Sequence, residues 1–278
     1  MSSLTVLATG PLATIQDRGR AGQAALGVPA SGACDRASYE LANRLVGNEG
    51  GAAALEVTYG GLALHADGDL LVAITGAPCT GVPLNAPTLV RAGEVLRLGP
   101  PTSGLRTYVA VRGGIDVAPV LNSRSTDLLS GLGPPPLSPA QTLPVGSLMR
   151  PMPGVDLAPV AHPTAGQVVV HVTPGPRRDW FTEAAWTSLR SQTYHVSSNS
   201  NRVGVRLDGT PLERARTGEL ASEGMARGAI QIPPSGTPVI FLADHPVTGG
   251  YPVIAYVTEA DLDACAQARP GQPVRLVN

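Results

Sequence analysis

The chain has 278 residues, 43% hydrophobic, 4% aromatic and 15% charged, with a formal net charge of −1 and a pI near 6.5. That balance leaves no basic footprint for nucleic acid, no apolar run reaches membrane-spanning length, and the hydrophobic content is too high for a disordered chain. With Gly 33 and Pro 27 punctuating short Val/Leu/Ile runs, the composition predicts a β-rich fold with many tight turns and an ample core.

In chain order, residues 3–8 and 12–16 predict strands around Gly10-Pro11, followed by a polar turn at Gln16-Asp17-Arg18-Gly19-Arg20 and a loop from Gly27 to Asp35. Asp35 is placed to cap a helix whose apolar face is Ala37, Leu41, Ala42, Leu45 and Val46, ended by Gly47-Asn48. Strands follow at 54–59, 70–75, 88–91, 95–98 and 107–112, with Asp67-Gly68 and Ala92-Gly93 as turns. A Pro-rich tract from Pro134 to Pro153 separates the halves, so the chain divides into lobes of 1–150 and 151–278. Strands resume at 167–172, 192–197, 203–207, 229–232, 238–243 and 253–257. Asp179 is read as the cap of a second helix with Trp180, Phe181, Ala184, Ala185 and Leu189 inward. Thr258 with Asp261 forms a capping box for a third helix carrying Leu262, Cys265 and Ala266. The fold class is therefore mainly β, two β-rich lobes with three short helices.

Three cysteines, Cys34, Cys79 and Cys265, are odd in number and far apart, which fits a reducing cytoplasm better than a disulfide framework. The first ten residues lack the basic and apolar segments of a signal peptide. The five histidines show no metal-ligand spacing, so no metal site is expected. All 20 basic residues are arginine. Without lysine the chain has no Walker-type lysine, no Schiff-base lysine and no site for covalent biotin.

Glycine, charge and hydroxyl groups concentrate between residues 200 and 252: Asn201-Arg202-Val203-Gly204, Ser222-Glu223-Gly224, then Asp244, and Thr248-Gly249-Gly250-Tyr251-Pro252. Glycine lets another backbone or a ligand come close, and loops on a sheet scaffold commonly carry function. Equally, all-β proteins need such turns whatever they do.

Together with Gln16-Asp17-x-Gly19-Arg20, Ser31-Gly32-Ala33-x-Asp35, Leu45-Val46-Gly47-Asn48, Ala54-Leu55-Glu56, Ile74-Thr75-Gly76-Ala77 and Ser123-Arg124-Ser125-Thr126, these motifs give the chain a family likeness. It resembles the KipA-type family, also described as allophanate hydrolase subunit 2 or the C subunit of bacterial 5-oxoprolinase, and the related half of the urea carboxylase carboxyltransferase domain. The resemblance implies a cyclophilin-like β-barrel architecture, a KipI-type B subunit and an A subunit as partners, and a cytoplasmic, ATP- and magnesium-dependent opening of 5-oxoproline to glutamate in the assembled complex. Such a reaction needs a cation for the substrate carboxylate, donors for the oxyanion and a base for water. Arg202, Arg20 and Arg124 are candidates for the first, because guanidinium grips carboxylate bidentately. Backbone N–H groups of Gly249-Gly250 or Ser222-Glu223-Gly224 suit the second. Glu223 or Asp244 suits the third, and Asn201, Thr248 and Tyr251 complete the expected lining. Structural alternatives stand beside these: Arg202 pairing with Asp244 or Glu223, Asp35 acting as a cap, and Tyr251 at an ordinary turn. Two other functions compete, a carboxyltransferase acting on a urea-like amide with biotin on another chain, and a regulator that binds a KipI-type kinase inhibitor.

Overall fold

The computed structural model describes residues 2–216 and 218–278. Two compact units emerge. Unit 1 comprises the residues before Gly22 with Ser31–Asp127 and Gly131–Pro163; unit 2 comprises Gly22–Ala30, Leu128–Ser130 and Thr164–Asn278. The Pro-rich tract thus lies within unit 1, whereas the sequence reading divides the chain after residue 150.

Unit 1 is built from β1 (Ser3–Thr9), β2 (Leu12–Gln16), α1 (Arg36–Leu45), β3 (Ala54–Thr58), β4 (Leu62–Ala66), β5 (Leu70–Gly76), β6 (Pro87–Val90), β7 (Val95–Arg97), β8 (Arg106–Val111) and β9 (Thr142–Pro144). They form a four-stranded sheet in the order β7-β4-β1-β9 and a five-stranded sheet in the order β2-β3-β8-β5-β6. Because side chains alternate faces along a strand, Leu55, Val57, Val72, Ile74, Val109 and Val111 join Leu4, Val6 and Leu64 of the other sheet in one core. Ala54, Ala73, Tyr108 and Ala110 point the opposite way, against Tyr39, Ala42, Leu45 and Val46. β9 is hidden from sequence reading by the Pro-rich tract; it pairs with β1 at the sheet edge, where proline is tolerated.

The first helix begins as its cap predicts, Asp35 accepting the Ser38 N–H at 2.9 Å. Its inward face keeps Ala42, Leu45 and Val46 of the expected one, with Leu41 packed against them, and departs from it at the first turn. Tyr39, Ala42, Asn43 and Leu45 are buried, while Ala37 is exposed. The tyrosine hydroxyl donates to the Ala52 carbonyl at 2.8 Å, which sets the helix rotation, and two residues turn a helix by about 200°.

Unit 2 contains β10 (Val168–Pro174), α2 (Glu183–Ser191), β11 (Tyr194–Val196), β12 (Gly204–Asp208), β13 (Glu223–Gly224), β14 (Ala229–Gln231), β15 (Val239–Phe241), β16 (Thr248–Gly249), β17 (Val253–Val257), α3 (Leu262–Gln267) and β18 (Pro273–Val277). Seven strands close a barrel in the order β10-β17-β14-β15-β12-β11-β18, and a parallel β18–β10 ladder with Val168 opposite Val274 completes the ring. Closure removes the exposed edges an open sheet would present. β13 and β16 stand outside the barrel as a two-stranded ribbon.

Two helix starts differ from expectation. Thr182, not Asp179, caps α2, its hydroxyl accepting the Ala185 N–H at 3.0 Å. Asp179 sits in a preceding 3-10 turn and pairs with Arg216 at 2.7 Å. Ala184 is consequently exposed and Trp186 turns inward beneath the guanidinium groups of Arg178 and Arg190. Before α3, the Thr258 hydroxyl donates to the Asp261 carboxylate, which also accepts the backbone and ring N–H groups of His171. The expected capping box is thereby replaced by a carboxylate that ties the turn to β10.

Candidate functional site

The ribbon brings two of the sequence motifs together. Glu223 lies opposite Gly249 and Gly224 opposite Thr248, with the ladder continued by the Met225 N–H donating to the Val247 carbonyl. Gly249 leaves the space its neighbours use: a Cβ there would come within 2.8 Å of Gln231 Nε2 and 3.2 Å of the Met225 sulfur. That close approach lets Gln231 donate to the Tyr251 carbonyl at 2.9 Å and fix the chain after the Gly-Gly pair. Ser222 and Thr248 are exposed, and the Tyr251 side chain is turned outward rather than into the core.

Glu223 is half-buried and held by Arg177, whose Nε donates to Oε2 at 3.0 Å while Nη2 binds Oε1. This partner stands 46 residues earlier and is absent from the sequence reading of the site. The visible signal is the arginine pair directly after Gly175-Pro176.

Arg202 and Asp244 form a different kind of pair. They are 1% and 0% exposed, and Nε and Nη2 each reach a carboxylate oxygen at 2.9 Å. Asp244 also accepts the Leu128 N–H at 3.1 Å. This is the bidentate geometry in which both charges are neutralised locally. Asn201 bends the preceding turn, its side-chain oxygen accepting the Val203 and Gly204 N–H groups.

Arg20 and Arg124 belong to unit 1, in motifs that converge on Asp17, a residue to which the sequence reading gives no role. One Asp17 oxygen accepts the Gly19 N–H and the Ser123 and Ser125 hydroxyls at 2.7, 2.7 and 2.5 Å; the other accepts the Arg124 N–H at 2.5 Å. The Gln-Asp-x-Gly-Arg and Ser-Arg-Ser-Thr motifs are therefore two halves of one buried polar cluster. The Arg124 side chain leaves it, donating to the Val117 carbonyl at 2.6 Å and to Asp116 at 2.9 Å. It borders a cavity of about 280 Å³ walled by Glu49, Gly50, Gly114, Asp116 and Ser147. Glu56 anchors a second buried network, accepting the Cys34 N–H and the Tyr108 hydroxyl at 2.9 and 2.8 Å. Burial, followed by repulsion from Glu56, holds the Tyr108 phenol well above its ordinary range, so it stays a donor.

Among the described residues no cluster of three or more His, Cys, Asp or Glu side chains suits a metal, and no helix is long and apolar enough to cross a membrane.

A family model described as the carboxyltransferase domain, subdomain A and B, matches residues 26–278. The chain is 37% identical to the C subunit of 5-oxoprolinase from Escherichia coli (strain K12), over 99% of this chain and 90% of that protein. The crystal structure of the K. lactis urea amidolyase superposes with a TM-score of 0.91 at 33% identity, covering 99% of this chain and 18% of that one. The crystal structure of TTHA0988 gives 0.90 at 36% identity, covering all of this chain and 56% of that one. In both solved structures the matching fold is one part of a longer chain.

Proposed function

The chain belongs to the carboxyltransferase-domain family, and on that premise we propose that it is the C component of a multisubunit, ATP-dependent 5-oxoprolinase, working in the cytoplasm with a KipI-type B subunit and an A subunit. The observation that carries this reading is the end-to-end match to a protein of that name, 99% of this chain against 90% of the relative. ATP and its magnesium are assigned to the assembly. The glycine pair Gly113-Gly114 lacks the lysine and spacing of a Walker-type phosphate loop.

Within the assembly, the residues of unit 2 have distinct tasks. Glu223 is the better placed base for water because it is partly exposed where Asp244 is fully buried; an arginine engages both oxygens of each, Arg177 on Glu223 and Arg202 on Asp244. Ser222 and Gly250, whose N–H groups make no hydrogen bond among the described residues, can turn them towards a developing oxyanion. A second reading, carboxyl transfer to a urea-like amide, is favoured by the TM-score of 0.91 to the urea amidolyase; biotin would then ride on another chain, since this one has no lysine.

The test is to combine the chain with its B and A partners and follow ADP and glutamate. Equal amounts of both, dependent on 5-oxoproline, support the first reading. ADP release that instead requires bicarbonate and urea, with no glutamate formed, contradicts it.

A further inference from the structure

Three arginines are candidates for the substrate carboxylate, and the structure separates them. Arg202 is closed by Asp244 and Arg124 is engaged by Asp116. Arg20 is 2% exposed and has no carboxylate within ion-pair distance among the described residues. Its acceptors are backbone carbonyls, Ser125 at 2.5 Å and Val120 at 3.5 Å, and its Nη1 has no partner. A buried cation without a counter-charge is unfavourable unless hydrogen bonds or a ligand compensate it.

Two further buried atoms in the same cluster are unpartnered, Gln16 Oε1 and Thr126 Oγ1. Gln16 Nε2 donates to the Thr126 carbonyl at 2.9 Å and to Thr14 Oγ1 at 3.1 Å, which fixes the amide so that Oε1 is the acceptor left over. The three side chains hang on the consecutive residues Ser125 and Thr126 and offer one cationic donor, one hydroxyl and one acceptor. Native proteins rarely leave such atoms unmatched. The set complements a ligand that presents a carboxylate beside an N–H. Gly133 packs against one side of it: a Cβ there would lie 2.0 Å from the Ser125 carbonyl oxygen and 3.1 Å from Arg20 Nη2.

We propose that Gln16, Arg20 and Thr126 form a subsite in unit 1 for the polar edge of a cyclic amide acid, the carboxylate on Arg20 and the Thr126 hydroxyl and the ring N–H on Gln16 Oε1. The proposal rests on the 5-oxoprolinase reading and adds the residues that select the acid.

Equilibrium dialysis of the assembled subunits against 5-oxoproline and against 2-pyrrolidinone, the same lactam without a carboxylate, tests it. Wild type should prefer 5-oxoproline. Arg20→Gln should weaken 5-oxoproline about 10–100-fold, as expected for a charged hydrogen bond, and leave 2-pyrrolidinone within about 2-fold. Should Arg20→Gln fail to fold, Thr126→Val keeps the shape and should still cost 5-oxoproline about 3–10-fold. Unchanged preference in the folded variants would mean that these atoms hold only buried water and overturns the subsite while leaving the activity intact. No 5-oxoproline binding by the wild-type assembly overturns the activity reading and the subsite with it.

Discussion

Arg202 in unit 2 and Arg20 in unit 1 are the same residue type at nearly the same burial, 1% and 2% exposed. Their surroundings are opposite. Arg202 meets a fully buried carboxylate through two 2.9 Å bonds, while Arg20 leans on carbonyls and keeps one nitrogen unmatched. Burial alone therefore does not mark a functional arginine. A satisfied pair has the form of a structural brace, and an unsatisfied cation has the form of half an interaction whose other half is a ligand.

The largest expected effect breaks the brace. Asp244→Ala removes the carboxylate paired with the buried Arg202 guanidinium and should cost about 3–5 kcal/mol, a fall in melting temperature on the order of 10 °C by calorimetry. Arg20→Gln removes an uncompensated charge and should stay within about 1 kcal/mol of wild type. Equal destabilisation by the two would erase the distinction and make Arg20 structural as well.

A smaller effect sharpens the unit 1 side. Asp17 accepts four hydrogen bonds on one carboxylate. Asp17→Asn offers one carbonyl oxygen in place of two and should lose about 2–3 kcal/mol in urea unfolding. An unchanged midpoint would show that the Ser123–Thr126 segment is held without it.

The smallest effect depends on pH and lies in unit 2. At Asp261 burial raises the carboxyl pKa, but the backbone and ring N–H groups of His171 and the Thr258 hydroxyl outweigh it, leaving the group below its ordinary 3.8. A depressed folded pKa stabilises fully above the unfolded value and loses that contribution as pH falls through the folded one. Asp261→Asn should therefore lower the melting temperature slightly at pH 7 and converge with wild type as the pH falls through the depressed folded pKa. A gap that widens on acidification would reverse the sign.

Local patterns are readable in the sequence. Alternation and turn glycines locate most strands, and Asp35 marks the first helix to the residue. Pairings across long separations are not. Arg177 meets Glu223 across 46 positions and Asp17 meets Ser123 across 106, separations over which local periodicity does not say which residue pairs with which. In α1 the expected Ala42, Leu45 and Val46 are buried, and only the first turn departs, Tyr39 lying inward with its hydroxyl on Ala52 while Ala37 is exposed. The motifs of the candidate site can be named in advance, but which arginine lacks a partner is a property of the folded chain.

Ligand-dependent melting of the assembled subunits tests the contrast between the two arginines most directly. A ligand at free concentration L that binds only the folded state stabilises it by RT ln(1 + L/Kd), so a weaker Kd gives a smaller rise at the same ligand concentration. Saturating 5-oxoproline should raise the melting temperature of wild type, and Arg20→Gln should abolish most of that rise while keeping the ligand-free melting temperature. A full ligand-induced rise in a well-folded Arg20→Gln assembly would contradict the assignment of Arg20 to the substrate carboxylate.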